Sequence, residues 1–428
     1  MNPSVFSRPV WRRPNRASVA AVELERNEEA DLVVIGGGFQ GLSTALHAAR
    51  KGLSVRVIEA GRIGEGASGL NGGQVIPGLK YDPEWLLRHF GDERGERLAA
   101  FSEKTADAVF DLIEAEGLDV EHCRNGWIQA AHTETALAAA AERNRQWKTR
   151  GADATLLNDA EISFMTGARG YLGGWLDRRA GVINPLAFVL ELARLAGEAG
   201  VRIAEGERAT GLRQESGRWH VETAGGGVVR AKTVVIATNA YSDALVPGLA
   251  RSLVPLNSFQ IATAPLPILQ QDLILSHGQA VSDSRRILVY YRKSPDGRLV
   301  LGGRGRMATP RHAEDWAHLE HALLRLFPAL TGIDIEHRWF GRVAMTADHL
   351  PHIHEPQKGL LMAAGCQGRG VGLMTALGKR FADYIESGDP LTLPFPISPI
   401  RPIPLHALRQ VGVAAMITWY RMLDGLER

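Results

Sequence analysis

Cysteine is scarce in this chain of 428 residues: Cys123 and Cys366 are too few for a disulfide framework or a four-ligand zinc cage, which points to a reducing, cytoplasmic setting. An excess of one charge is lacking too. The 49 Lys and Arg against 47 Asp and Glu leave +2, so no basic field is available to steer a nucleic acid. Long apolar runs are also missing. "VGVAAMITW" (Val411–Trp419) falls far short of the ~20 residues of a spanning helix. It reads as a terminal helix docked on the body or on another subunit, with peripheral membrane contact as the alternative. Residues 1–30 hold prolines and arginines but no apolar signal core, and they read as an arm lying on the fold rather than a secretory signal. What is present, 45% hydrophobic residues, provides for a large core, whether in roughly three domains or two interleaved ones.

The first motif is "DLVVI" (31–35) running into "GGGFQG" (36–41) and then "LSTALHAARKG". A buried strand ends at Gly36, and Leu42, Ala45, Leu46 and Ala49 fall at helical spacing. In a strand–turn–helix unit Gly36 permits the tight turn, and Gly38 lets the backbone, with Phe39 and Gln40, approach a pyrophosphate. Gly41 lets helix pack on strand. The next strand, "LSVRVIEA", ends at Glu59 and Ala60, where an acid accepts hydrogen bonds from adenosine ribose hydroxyls. This much fits NAD and FAD equally. The long glycine-rich loop that follows, "GRIGEGASGLNGGQVIPGL" (61–79), favours the flavin. Through Gly66, Ala67, Ser68, Asn71, Gly72, Gly73 and Gln74 it offers backbone amides and small residues that reach from a pyrophosphate toward an isoalloxazine ring.

Helices around a short strand are expected from Pro83 to about Met165. A buried strand "TVVIAT" then breaks at Asn239, so Thr238 and Asn239, with Ala209 upstream, are placed at the carboxyl edge of the sheet, where ligands bind. "RRILVYYRKSPDGRLVLGGRG" (285–305) is a hairpin, and alternation sets Tyr290 and Arg292 on one face against Ile287, Val289 and Tyr291 on the other. In "ADHLPHIH" (347–354), His352 and His354 share a face. No acid or cysteine stands at a usual ligand spacing, so no metal site is expected. A second strand–glycine–helix unit follows: "LLMAA", then "GCQGRGVG" (365–372), then a helix ending at Gly388. Gly365, Gly368, Arg369, Gly370, Val371 and Gly372 open a helix N-terminus suited to the electron-rich pyrimidine edge of a reduced flavin. One ligand long enough to need both glycine turns is FAD.

In order and separation, "VVIGGGFQGLSTAL" with Glu59, "GEGASGLNGGQ", "VVIATNAYS" and "GCQGRGVG" resemble the D-amino-acid oxidase superfamily of flavoproteins, from Asp31 to about Gly388. The "YYRxSPDGRLxLGGRG" hairpin and "WYRxxD" (419–424) are similar to gamma-glutamylputrescine oxidoreductases. "LDRRAGVINP" is similar to L-pipecolate oxidase, and the branch also holds sarcosine and glycine oxidases. The resemblance implies an α/β fold: a Rossmann-like, glutathione-reductase-type FAD domain (31–82, 166–245, 345–390) and an interleaved α+β substrate domain on an antiparallel sheet (83–165, 246–344). Residues 391–428 form a C-terminal extension with a docked helix. It implies oxidation of the C–N bond of an amine or amino acid by hydride transfer to flavin N5, with O2 or another acceptor taking the electrons. Leu70 replaces an arginine usual in the branch. Val300 stands where sarcosine oxidases place a lysine over the flavin, leaving oxidase and dehydrogenase both open. Gly341 and the region of Gly69 stand where relatives attach FAD covalently, so noncovalent FAD is expected. A substrate carboxylate calls for an arginine clamp, with Arg342 first and Arg292, Arg304 and Arg369 behind it, and Tyr290 or Tyr291 closing over the substrate. The alternatives are a nicotinamide-linked dehydrogenase using only the first turn, a flavin domain acting on modified transfer RNA, and a redox-silent binding module.

Overall fold

The computed structural model describes residues 9–15 and 21–426. Residues 1–8 and 16–20 of the expected arm lie outside the described residues, as do the last two and the side chains of Arg421 and Asp424 in the "WYRxxD" motif.

The nucleotide domain is built on strands ordered Leu360–Ala364, Val228–Ile236, Asn27–Ile35, Val55–Ile58 and Arg202–Ala204, all parallel. Leu32 to Ile35 are buried without alternation, the pattern of a strand covered on both faces. Helices Phe39–Arg50, Pro185–Glu198 and Gly370–Ser387 pack together over this core. Leu42 and Leu46 of the first helix are fully buried, contributing about 2 kcal/mol each. The register sets Ile35 level with Ile236 and Ile58, and Ile236 level with Met362, so all these strands release their chains at one edge. Antiparallel strands Ala209–Glu215 and Arg218–Thr223 extend the sheet along the first half of Val228–Ile236.

The second sheet runs Ile335–Met345, Val254–Pro265, Arg298–Arg304, Val289–Lys293, Ala280–Asp283, Trp127–Ala131, Gly173–Asp177 and Ala154–Asn158. Its pairs are antiparallel except for Ala280–Asp283 beside Trp127–Ala131. The predicted hairpin forms with Tyr290 opposite Gly302 and Arg292 opposite Val300. Tyr291 points to the apolar core with Phe259, Trp316 and the helix Ala317–Leu326.

Several boundaries differ from expectation. Helices Pro83–Phe90, Asp92–Glu103 and Asp107–Ala115 bury Leu86, Leu98, Phe101, Val109, Phe110 and Ile113 in the same core as Leu32 and Val34, so they belong to the nucleotide domain. Gly173–Asp177 pairs inside the second sheet, although 166–245 was assigned to the nucleotide domain. An apolar stripe announces burial but not against which sheet. The first strand starts at Asn27, ahead of the expected 31. The C-terminal helix Arg409–Leu426 buries Val413 and leaves Val411 and Trp419 exposed. Among the described residues no helix is long and apolar enough to cross a membrane.

The helices of the two glycine turns cross at Gly378, where an added Cβ would lie 2.5 Å from Ser43 Cβ and 2.8 Å from Gln40 O. At the same crossing Ser43 Oγ donates to Thr375 O at 2.7 Å. Gly378→Val should cost about 3 kcal/mol in denaturant unfolding and weaken any ligand held by both turns together; an unchanged midpoint would contradict this crossing.

Candidate functional site

A cavity of about 1330 Å³ opens along the carboxyl edge of the parallel strands, the position at which open α/β sheets bind ligands. At one end the chain leaves Asn27–Ile35 through Gly36 at φ 108°, against Ala237 O. A Cβ on Gly41 would stand 1.9 Å from Gly36 O, so a glycine there is what lets the helix start this close. Gly38 caps that helix without a side-chain bond, and its first turn carries no acid. Its amides face the cavity with the positive end of the helix dipole, a ready anion cradle. Glu59 accepts from Gly37 N (2.7 Å) and Gly61 N (2.9 Å), which fixes its carboxylate on the cavity wall.

At the other end Gly365 is at φ 90°, Gln367 at 51° and Gly368 at 81°. Helix Gly370–Ser387 starts after Arg369 with no side-chain cap. The two strand ends are tied by Gly365 N donating to Asn239 Oδ1 at 3.1 Å, Asn239 itself being at φ 42°. Between the turns lies the loop 61–79, pinned by Phe39 N donating to Ser68 Oγ (3.0 Å) and Gly73 N to Asn71 Oδ1 (2.8 Å).

Of the expected cofactor residues, Gly36, Gly38, Phe39, Gln40, Glu59, Ala60, Gly66, Ala67, Ser68, Asn71, Gly72, Gln74, Ala209, Thr238, Asn239, Gly368, Arg369, Gly370 and Val371 line the cavity. Gly41, Gly73, Gly365 and Gly372 do not. They stand behind the wall, with an added Cβ meeting Gly36 O, Ile183 O, Thr346 Cγ2 and Thr105 O respectively.

The arginine candidates separate. Arg292 is a correction: it is buried away from the cavity, donating to Gly73 O (3.3 Å) and Ile183 O (2.5 Å) with its guanidinium 5.2 Å from the Trp11 ring. Alternation gave its face of the strand, but the loop carbonyls took the side chain. Arg342 is exposed, 5.3 Å over Tyr241, whose ring packs on Gly66 at the first-turn end. Arg369 donates to Pro77 O and lies 5.6 Å from the Trp127 ring, and burial pulls it down to about 10. Arg304 lines the cavity with Nη1 buried and without a hydrogen-bond partner, and burial lowers its pKa. Tyr290 lies in the wall between Gly72 and Gly302, bonded to Ser258 Oγ at 2.8 Å and pushed up to about 12 by burial.

Three cavity residues escaped the sequence reading. Lys80 stands in the cavity, its pKa lowered by desolvation and then by Arg369, Arg143 and Arg304. It directly follows the glycine loop, the one signal it gave. Gln260 donates to Leu70 O at 2.7 Å while its buried Oε1 has no partner. His349 lines the cavity at φ 59°, and its imidazole is held below its usual range by desolvation and by Lys80. The neighbouring His352 and His354, whose shared face the sequence shows, lie elsewhere than in the cavity wall. Those two stack 5.9 Å apart and bind Asp348 and Ser398 O, and among the described residues no three metal-ligating side chains converge.

An anion cradle, an acid at the second strand end and a distant second helix start on one continuous cavity define a flavin-dinucleotide oxidoreductase. The uncapped helix starts, the Gly36 and Gly38 positions without Cβ, and the fixed Glu59 carboxylate fit FAD. The FAD-dependent oxidoreductase (DAO) family matches residues 31–384, and the chain belongs to it. It is 32% identical over 372 residues to a probable oxidoreductase, OrdL, of Haemophilus influenzae, covering 86% of this chain and 85% of that one. It is 30% identical over 410 residues to gamma-glutamylputrescine oxidoreductase of Escherichia coli, covering 94% and 95%. Its fold is that of glycine oxidase from Geobacillus kaustophilus, with TM-score 0.73 at 22% identity over 88% of this chain and 99% of that one. The protein is therefore an FAD-dependent enzyme, and the nicotinamide alternative gives way.

His349 occupies a left-handed backbone region that costs a non-glycine residue of order 1 kcal/mol or more. His349→Gly should therefore leave the melting temperature of the apoprotein unchanged or higher, as read by calorimetry. A clear fall would show that the imidazole holds the fold together.

Proposed function

We propose that the protein oxidises the C–N bond of an amine that carries an acid group, an amino acid or acidic polyamine derivative. The observation that carries this reading is the pair Arg304 and Lys80, two cations in the cavity wall with no acidic ion-pair partner among the described residues. Arg304 is half-buried with its Nη1 fully so, and a buried N–H without an acceptor is unfavourable, while Lys80 stays exposed at the same cavity, within reach of the same anion. A carboxylate on Arg304 Nη1 and Lys80 Nζ would satisfy both and orient the rest of the substrate.

Bound FAD supplies the hydride acceptor at flavin N5. Gly36 to Phe39 and the helix they start would hold its pyrophosphate, Glu59 its ribose, and the amides from Gly370 onward its pyrimidine edge, all without a covalent link. The cationic wall has a second effect. A substrate enters mainly as an ammonium, and hydride loss from its α carbon needs the neutral amine. Lys80, Arg304 and Arg369 repel the ammonium and so favour its deprotonation. Tyr290 and Gln260 line the cavity beside Gly72. Their polar ends make them candidates to orient the amine. The imine product leaves and hydrolyses in water.

The first test is an anaerobic visible spectrum of the purified protein against secondary amines, amino acids, L-pipecolate and gamma-glutamylputrescine. Bleaching of the flavin band by an acid-bearing amine is expected, and the rate of reoxidation in air then separates oxidase from dehydrogenase. A flavin that no amine bleaches would sink the proposal. For the substrate found, Arg304→Met should raise KM about 100-fold, as expected for losing a charge-assisted bond to a carboxylate.

Lys80 gives a pH test. Its pKa lies below the ordinary lysine value, so as pH rises on the alkaline side its charge is lost earlier than that of a solvated lysine. In the wild type kcat/KM for an anionic substrate should fall there, and Lys80→Arg should move that fall to higher pH. Coincident profiles would remove Lys80 from substrate binding.

A further inference from the structure

Resting on the flavin reading of the cavity, we infer that residues 9–15 of the N-terminal arm are a positioning element of the cofactor loop, and that Trp11 acts as its clamp. Trp11 belongs to a stretch with no regular secondary structure, yet it is only 7% exposed. Its Nε1 donates to Asn71 O at 3.0 Å. Asn71 is the hub of the loop: its Nδ2 donates to Ala67 O (3.1 Å) and Ser68 O (2.9 Å), and its Oδ1 accepts from Gly73 N. Gly66, Ala67, Ser68, Asn71 and Gly72 are cavity wall, so whatever fixes Asn71 fixes the surface that a flavin would meet.

The neighbouring carbonyls are held from the same side. Trp339 Nε1 donates to Leu70 O at 3.0 Å, and Arg292 donates to Gly73 O. The Trp11 ring packs edge-on to Trp339, with centroids 6.0 Å apart at 84°, and under the Arg292 guanidinium. It thus holds the middle carbonyl itself and covers the two side chains that hold the flanking ones. An amide loop with its carbonyls fixed outward keeps its inner face in one conformation, which lowers the ordering cost of binding a ligand there. The arm is tied down on the far side of Trp11, where Arg12 O accepts from Asn184 Nδ2 (2.8 Å) and Asn15 N donates to Asp119 Oδ2 (2.7 Å).

The test compares Trp11→Phe with Trp11→Ala in the full chain, reading the FAD dissociation constant by reconstitution of apoprotein, the shape of the bound flavin band, and the apoprotein melting temperature. Phe keeps a ring against Trp339 and Arg292 but has no N–H, so its FAD affinity should fall about three- to tenfold, the effect of one lost hydrogen bond, with little change in apoprotein melting. Ala should weaken FAD further and alter the band. Wild-type affinity and spectrum in both variants would overturn the inference. So would a Trp11→Ala protein that melts lower while Trp11→Phe binds FAD like the wild type, since the arm would then be packing alone. A wild-type protein that takes up no FAD would instead overturn the flavin reading beneath it.

Discussion

The strand Val228–Ile236 is the element on which the site depends. Its last residues form hydrogen-bonded ladders on both sides, with Asn27–Ile35 and with Leu360–Ala364, both parallel. Because a parallel ladder fixes register as well as direction, two chain segments more than three hundred residues apart in sequence must release their glycine turns at the same edge. Asn239 completes the link by accepting from Gly365 N. Without this central strand the two turns would be separate loops, and no single cavity would join them.

Close approach then governs which residues are tolerated. At Gly41, Gly73 and Gly372 backbone carbonyls occupy the place of a Cβ, and none of these residues touches the cavity. They are glycines so that the wall can form, while Gly36, Gly38 and Gly72 are the wall. The loop 66–74 shows the same division in its polar groups. Three of its carbonyls are taken from outside the cavity by Trp11, Arg292 and Trp339, so its small residues are free to face a ligand.

Electrostatics distinguishes the two ends of the cavity. Glu59 and the uncapped start of the first helix form one end. Lys80, Arg304 and Arg369 stand at the other, where burial lowers the pKa of each and the charges of Arg369 and Arg304 lower that of Lys80 further. Such a wall is stabilised by an anion and destabilises a second cation. Under the proposed function, such a wall would select a carboxylate and a neutral amine in one substrate.

The two strand–glycine–helix units, Glu59, the 61–79 loop and the Tyr290 hairpin were legible in the sequence, because each is a local pattern whose physical cause lies within a few residues: a buried run, a turn that excludes Cβ, a period of 2 or 3.6. Assignment of the helices 83–115 to a core, the retreat of Arg292 into the loop carbonyls and the arrival of Lys80, Gln260 and His349 in the cavity were not. A stripe, an alternation or a lone basic residue states that a side chain will be buried or paired, but not with what. By itself the sequence determined a dinucleotide fold with two cradles and the chemistry those cradles accept. Only the tertiary structure decided which cations share the cavity and what holds its loop, because those contacts join segments that are distant along the chain and are chosen by sheet register rather than by neighbouring residues.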